Sequence, residues 1–371
     1  MALSRDLALT KAQIRAHLAK AFLVQARDTV YDKVCEIIDS YSFKNEFAAL
    51  GAPPQLKEVD DGETMTFEEI IEYTYDYENR LFQAGISIDK SALEGDQTRQ
   101  LISLPRSLAQ TAANFPDKLL SDRLRNGTDA TLGLCPTGSA FFSASHALGQ
   151  DAPAAQSNLQ TGSTPASMYD PSSGVPLDSI AIRLAKDLSA AAKLIRSWTA
   201  NNGMPLRQTV PARNLIVICS PLITDAMRHA VAGKFLQMSD NQMQGSVGAI
   251  YELNFLPNSG SEGADWYLFD VGGPNRALGW SRMRQRRDEE LLDKLPMVQS
   301  ALGVSGGMDG PAGSALKSFD SLIVEDTFGR VGSSADAYTM ANRKFLVSAT
   351  LRGELLYQWP FYCTKVENAA A

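Results

Sequence analysis

"FEEIIEYTYDYENRLFQAGISIDK", residues 67–90, is the stretch from which the fold of this chain is inferred. Apolar and polar side chains alternate through it in two runs, one ending at Tyr77 and the other starting at Phe82. A period of two residues, with tyrosine and β-branched side chains, is typical of β-strands. The sequence therefore predicts two strands, with "YENRL" between them as either a turn or a continuous crossing.

This predicted ribbon is acidic, and a two-stranded ribbon is marginally stable in water by itself. Only Arg80 and Lys90 oppose its carboxylates. We therefore expect the ribbon to pack on a neighbour, either as a hairpin within its own domain or against a more basic surface. The acidic residues are Glu68, Glu69, Glu72, Asp76, Glu78 and Asp89.

The segments on either side of the ribbon have helical patterns. Apolar residues recur mostly every four positions from Leu7 to Ser40, which predicts an amphipathic helix that reaches for another surface. A second amphipathic helix is predicted from Leu101 to a stop at Gly127, with a kink or a split at Pro116.

The second half of the chain mixes helices and strands. Residues 149–176, rich in Gly, Pro, Ser and Ala, predict a long surface loop. A helix capped by Asp178 or Ser179 follows. Further strands and a short helix come next, and the tail predicts two strands paired with each other, with Pro360 near an edge. Without a regular βαβ order, the fold class is α+β.

Composition excludes several classes of protein. The 371 residues are 44% hydrophobic and 21% charged, with a net charge of −7. An acidic chain is not a dedicated nucleic-acid-binding module. Its four cysteines lie far apart without CxxC spacing, so no zinc site, and no other metal or cofactor site, is predicted. The N-terminus lacks the apolar core of a secretion signal, which predicts a cytoplasmic setting.

One segment has the residue types of an active site. His146 is one of three histidines, with Ser143, Ser145 and Cys135 nearby. However, no GxSxG elbow surrounds Ser139, and no other catalytic motif is present. We therefore predict no catalytic residues, and a serine or cysteine hydrolase that uses His146 stays as an alternative.

The densest basic run, "RMRQRRDEE" at residues 282–290, holds Arg282, Arg284, Arg286 and Arg287. The last three residues of this stretch, Asp288, Glu289 and Glu290, are acidic. This pattern favours a local or intersubunit network of ion pairs over binding of nucleic acid.

Several segments together resemble the major head protein family of Mu-like phages and prophages, the gpT type. They are "FAALGAPPQLKEV" (47–59), the acidic ribbon itself, "NFPDKLLSDRLRNG" (114–127), "GSAFFSASHALG" (138–149) and "DWYLFD" (265–270). The resemblance implies the HK97-like coat fold. It also implies a major capsid protein that assembles into hexamers and pentamers of an icosahedral shell around double-stranded DNA.

The resemblance further implies five regions and a set of partners. Expected partners are other copies, a portal, a separate scaffolding protein, packaged DNA and a decoration protein, in virions assembled in the bacterial cytoplasm. An encapsulin-like compartment is the alternative with the same fold. The regions are an N-terminal arm at 1–45, an extended segment with the E-loop at 46–100, a P domain with its spine helix at 101–176, an A domain at 177–305, and a return to the P domain at 306–371.

The predicted N-terminal helix has no partner in the neighbouring sequence, and the predicted ribbon is unstable alone. Both features are explained if neighbouring subunits bury them. We expect carboxylates of the ribbon to meet arginines of a neighbour, with no covalent cross-link between subunits. The predicted contact residues are Glu68, Glu69, Glu72, Tyr73, Tyr75, Tyr77, Arg80, Arg282, Arg284, Arg286 and Arg287.

Overall fold

A computed structural model gives the fold of eleven stretches of the chain. Most of the predicted N-terminal helix lies outside them, as do Glu68, Glu69, Arg284, Arg286 and Arg287. The described residues are 29–50, 72–89, 103–146, 156–169, 173–199, 205–207, 210–232, 247–273, 275–283, 322–326 and 344–368.

The described helices are two long ones and three shorter ones. They are α1 (Tyr31–Val34), α2 (Ser103–Asn126), α3 (Leu177–Ser197), α4 (Pro221–Ala232) and α5 (Gly260–Ala264).

The described strands form two five-stranded sheets and a two-stranded ribbon. The first sheet has the order β1-β9-β11-β10, with β4 also paired to β11; the second has the order β5-β12-β8-β6-β7; β2 and β3 form the ribbon. The strands are β1 (Cys35–Ser40), β2 (Lys44–Leu50), β3 (Glu72–Glu78), β4 (Arg80–Asp89), β5 (Leu159–Thr161), β6 (Leu215–Cys219), β7 (Ala249–Glu252), β8 (Trp266–Asp270), β9 (Leu278–Met283), β10 (Leu322–Asp326), β11 (Lys344–Tyr357) and β12 (Cys363–Glu367).

The second sheet is covered on both faces, because its strands alternate their side chains. Leu268 and its same-face neighbours pack with α3 and α4 in one hydrophobic core. Phe269 and its same-face neighbours pack with α2 and the first sheet in another core. Both faces of this sheet are therefore apolar, which is why β6 and β8 are buried at every position.

Helix α2 is continuous across Pro116, so the predicted split is wrong. It ends at Asn126, as predicted. The ring of Phe142 packs against the backbone of Gly127, where there is no room for a side chain. A Cβ at residue 127 would lie 2.6 Å from Phe142 Cδ2. The Phe142 N–H also donates to the Gly127 carbonyl at 2.8 Å.

Helix α3 has the buried stripe that its sequence predicts, but neither predicted cap. Pro176 occupies the cap position and has no side chain to accept a hydrogen bond. Asp178 lies in the first turn, and the Ser179 hydroxyl donates to the Pro176 carbonyl at 2.8 Å.

The predicted N-terminal helix does not continue to Ser40. Residues 35–40 are strand β1, which pairs in parallel with β9 from Leu278 to Met283. Here tertiary pairing outweighs a periodicity that suits a helix, because short apolar runs are ambiguous between helix and strand.

The two strands of residues 72–89 do not pair with each other. Strand β3 pairs with β2, and β4 pairs with β11 along ten residues. Only Asn79 separates β3 from β4, and a hairpin needs at least about two loop residues. The continuous crossing is therefore what the structure contains.

The tail also departs from its predicted pairing. Strand β11 belongs to the first sheet, whereas β12 lies between β5 and β8 in the second. Pro360 begins a buried single turn between them rather than marking an edge. Residues 156–169 are likewise not a surface loop throughout, because Tyr169 packs in a core and Asn158 is fully buried.

Within the described ranges, no helix is long and apolar enough to cross a membrane. The same ranges contain no group of three side chains suited to hold a metal ion.

Candidate intersubunit surface

The ribbon of β2 and β3, which replaces the predicted pair of β3 with β4, lies next to β11 of the first sheet. Tyr75 and Tyr77 lie on the same face of β3, with ring centroids 6.4 Å apart and planes at 24°. Tyr77 is buried and Tyr75 is half-buried, and burial raises the pKa of the Tyr75 phenol. The aromatic face of the ribbon is therefore already partly covered by other residues of the same subunit.

Asn79 fixes the point at which the chain leaves the ribbon for the first sheet. Its Nδ2 donates to Ser40 Oγ at 2.9 Å and to the Ser42 carbonyl at 2.8 Å. Its Oδ1 accepts from Ser281 Oγ at 2.8 Å, and its N–H donates to the Phe43 carbonyl at 2.8 Å. One buried amide thus joins β1, the loop before β2 and β9.

An ion cluster around the buried Glu354 lies beside the ribbon. Glu354 of β11 accepts from Arg123 Nη2 of α2, and its other oxygen lies 3.1 Å from Arg80 Nε without a hydrogen directed at it. The Arg123 guanidinium also stands over the ring of Tyr357, 5.4 Å from its centroid. Two cations share one buried carboxylate, which leaves the cluster with excess positive charge.

The ribbon and this cluster enclose an open groove of about 790 Å³. On the ribbon side, Lys44 Nζ and Glu78 Oε1 form an exposed ion pair at 2.8 Å. The opposite wall contains the exposed Leu132 and Leu134. Tyr41 and Phe43 are exposed nearby, at 72% and 58% of their surface. Charged and apolar groups side by side suit contact with another protein surface.

The structure distributes the predicted contact residues unequally. Tyr75, Tyr77 and Arg80 all line the groove. Glu72 and Tyr73 belong to β3, and nothing is described of their side chains.

Arg282 is a correction to the prediction. It is 3% exposed, and its Nε donates to Asp39 Oδ1 of β1 at 2.5 Å. The parallel pairing of β1 with β9 brings residues 39 and 282 side by side. Arg282 therefore forms its ion pair within its own chain and is not exposed to a neighbour.

His146 lies in a buried polar network and is itself only 1% exposed. Its Nδ1 is 3.0 Å from Ser139 Oγ, and its Nε2 is 3.2 Å from Asn158 Oδ1. The Asn158 amide nitrogen donates to the carbonyls of Phe141 and Pro360. Burial lowers the pKa of His146, which favours the neutral ring.

Serine, histidine and asparagine in this order have the connectivity of a nucleophile, its base and an orienting group. Ser143 and Ser145, the serines nearest in sequence, do not contact the ring: Ser143 Oγ donates to the Ser145 carbonyl. The Asn158 side chain also accepts from the Ser143 N–H, so it joins three backbone groups from two distant parts of the chain. The arrangement works as a structural junction between the segment that follows α2, the residue before β5 and the last turn before β12.

The residues that organise this region were not identified from the sequence. These residues are Asn79, Asn158 and Glu354, each an isolated polar residue in the sequence. Several of their hydrogen-bond partners lie 17 to 231 positions away along the chain. A polar residue inside an apolar strand pattern, as Glu354 is in "GELLY", was the one available signal.

Comparison with known proteins gives one family and one shared fold. Residues 9–170 match the family described as Mu-like prophage major head subunit gpT, which confirms the resemblance seen in the sequence. No curated protein sequence matches the chain.

Among solved structures, the mature capsid asymmetric unit of bacteriophage PhiM1 matches with a TM-score of 0.52 at 8% identity, over 92% of this chain and 87% of that one. The decorated capsid of bacteriophage JBD30 matches with a TM-score of 0.43 at 11% identity, over 92% of this chain. This chain spans 65% of the length of the JBD30 chain. The predicted α+β, HK97-like coat fold is confirmed.

Proposed function

We propose that this chain is the major capsid protein of a tailed double-stranded DNA phage or prophage. The premise is that residues 9–170 match the Mu-like major head subunit family. Many copies form the hexamers and pentamers of an icosahedral shell. The observation on which this rests is a capsid-subunit fold over 92% of the chain, together with the family match in its first half.

The mechanism is assembly through many moderate contacts. Each contact alone is weak, but a closed shell engages all of them at once, which multiplies their effect. The groove beside the ribbon is the surface we assign to such contacts. A neighbour would cover the exposed Leu132 and Leu134 in its wall, and Tyr41 and Phe43 beside it.

We divide the subunit as the family resemblance suggests. The N-terminal arm and the E-loop segment extend to neighbours, and the P and A domains form the body. The contact residues remain those predicted from the sequence, except Arg282, which Asp39 holds inside the subunit.

The partners follow from the same proposal. A portal and a separate scaffolding protein take part in assembly in the bacterial cytoplasm. Double-stranded DNA contacts the inner face without sequence preference, and a decoration protein binds the outer face of the virion.

Electron microscopy of the purified, expressed chain tests the proposal. Closed, regular shells are the expected result, and a monodisperse monomer under all assembly conditions contradicts it. An encapsulin-like compartment would form shells as well, but it would retain an enzyme cargo and function without portal or tail proteins.

Substitution of His146 by alanine separates a shell subunit from a hydrolase. In a shell subunit, loss of the bonds to Ser139 and Asn158 lowers thermal stability or shell yield. Ser145→Ala, on an exposed side chain next to the ring in sequence, is the matched control. Hydrolysis of ester or peptide substrates that disappears in His146→Ala, with folding intact, would contradict the structural role.

A further inference from the structure

The exposed face of α3 is basic. Arg183, Lys186, Lys193 and Arg196 are all exposed, whereas the opposite face of the helix is buried. Steps of three and seven residues keep these four cations on one side. With a rise of about 1.5 Å per residue, the stripe is about 20 Å long.

Within the described part of the chain, no carboxylate lies within ion-pair distance of these four cations, although the charge of Arg183 still acts on the buried Asp187. Asp187, the acidic residue in its middle, is buried, and its carboxylate accepts from the N–H and the hydroxyl of Ser163 at 2.8 and 3.0 Å. Arg183 donates to the Ser163 carbonyl at 3.0 Å. Such a stripe is unexpected on a chain with a net charge of −7, and it indicates an anionic partner.

The chain itself supplies a complementary segment. Residues 58–72, "EVDDGETMTFEEIIE", contain seven carboxylates and no cation. At about 3.3 Å per residue, this segment can extend over about 46 Å, which is more than the length of the stripe.

Helix α3 lies across the second sheet from the point at which the acidic segment of the same subunit joins β3. The acidic segment leads into β3, and Tyr75 of β3 lines the groove together with Arg123 of α2. Helix α3 packs on the opposite face of the second sheet from α2. The sheet therefore lies between the ribbon and the stripe of one subunit.

We infer that the basic face of α3 binds the acidic segment 58–72 of a second copy of this chain. The inference rests on the proposed function and names one of the contacts that hold the shell together. Ile182, 41% exposed, lies among the cations of the stripe. Apolar residues such as Phe67 and Ile70 lie among the carboxylates of the segment, which fits a protein partner better than a phosphate backbone.

Charge exchange tests this contact. Two reversal pairs are made, Lys186→Glu with Lys193→Glu and Glu68→Lys with Glu69→Lys, and then all four substitutions together. Each pair alone is expected to lower the yield of closed shells roughly tenfold, because a small loss per contact is multiplied over the shell. The fourfold variant is expected to recover most of the wild-type yield.

A matched control reverses two exposed cations on other elements, Lys118→Glu with Arg213→Glu. It should leave the yield near wild type, and circular dichroism should show that every variant folds. Failure of the fourfold variant to recover, or an equal loss in the control, overturns the inference.

Two further outcomes are distinguishable. If the α3 reversals assemble normally but retain less DNA, the stripe binds DNA and the proposed contact between copies is overturned. If the wild-type chain forms no shells under any condition, the proposed function fails, and this inference fails with it.

Discussion

Asp117 joins the N-terminal segment to α2 through one buried carboxylate. Its Oδ1 accepts from the N–H of Tyr31 at 2.8 Å and from the N–H of Val30 at 3.0 Å, at the start of α1. These are N–H groups for which a helix end has no partner of its own. Burial raises the pKa of Asp117 from 3.8 to about 6, since the two N–H groups compensate only part of the lost hydration.

This pKa predicts a pH dependence of stability. The folded subunit holds a proton on Asp117 between about pH 3.8 and 6, where the unfolded chain has released it. The stabilisation is therefore complete below about pH 3.8 and is lost as the pH rises through 6, by about 3 kcal/mol in all. Asp117→Asn keeps an acceptor without the charge and should lack this decline.

Urea unfolding of the two proteins at pH 4 to 7 measures the effect as the difference between their free energies of unfolding. The contributions of groups that do not interact with Asp117 cancel in that difference. Two curves that stay parallel over the whole range would mean that Asp117 titrates near its ordinary value in the folded subunit.

At the residue scale, sequence reasoning located His146 and its neighbours but not their connections. It found a rare histidine among serines, and it predicted no catalytic residue at Ser143 or Ser145. It could not find Ser139 and Asn158 as the hydrogen-bond partners of the ring, since nothing local distinguishes them from other polar residues. Arg282 has the same origin of error, because its partner Asp39 is 243 positions away.

At the scale of elements, β11 is the strand that organises the first sheet. It is 14 residues long and pairs with β4, β9 and β10. Glu354 lies where α2, β4 and the ribbon meet, and it accepts from Arg123 while it contacts Arg80. Removal of its charge takes away the carboxylate that both guanidinium groups share.

Glu354→Gln is therefore expected to lower the free energy of unfolding by about 1 to 2 kcal/mol, since the partly buried Arg123 loses its charged partner while the exposed Arg80 adds little. Glu78→Gln removes a carboxylate of similar chemistry from the exposed pair with Lys44, and exposed pairs contribute little. Thermal unfolding compares the two variants. Equal stability of Glu354→Gln and wild type would mean that the cluster contributes nothing net.

Periodicity predicted the existence of most elements but not their pairings. Helices α2 and α3 and strands β6 and β8 follow directly from apolar spacing in the sequence. The separation of β3 from β4, and of β11 from β12, could not be read from the same pattern. Register and partner depend on contacts between distant segments, which alternation alone does not encode.

At the scale of the whole molecule, the second sheet joins the two halves of the subunit. One face serves the core with α2, and the other serves the core with α3 and α4. The ribbon and the basic stripe lie on opposite sides of this sheet. A subunit with complementary charges on opposite sides contacts its neighbours head to tail, and such contacts close into rings when the rotation between subunits allows it.

This arrangement predicts how assembly responds to salt. Electrostatic screening acts over about 8 Å at physiological ionic strength and about 3 Å in 1 M salt. Wild-type shells should therefore form in lower yield as sodium chloride rises, because the contact between the stripe and residues 58–72 weakens.

A neutral variant with Lys186→Gln, Lys193→Gln, Glu68→Gln and Glu69→Gln should assemble less well at low salt. Its yield should also change less with salt, since the attraction that salt screens is already absent.

Light scattering during assembly, at matched protein concentration, measures the salt response of both proteins. The same salt response in the two proteins would place the salt-sensitive contacts elsewhere on the subunit, whereas a flat response in both would mean that apolar burial, and not charge, drives closure of the shell.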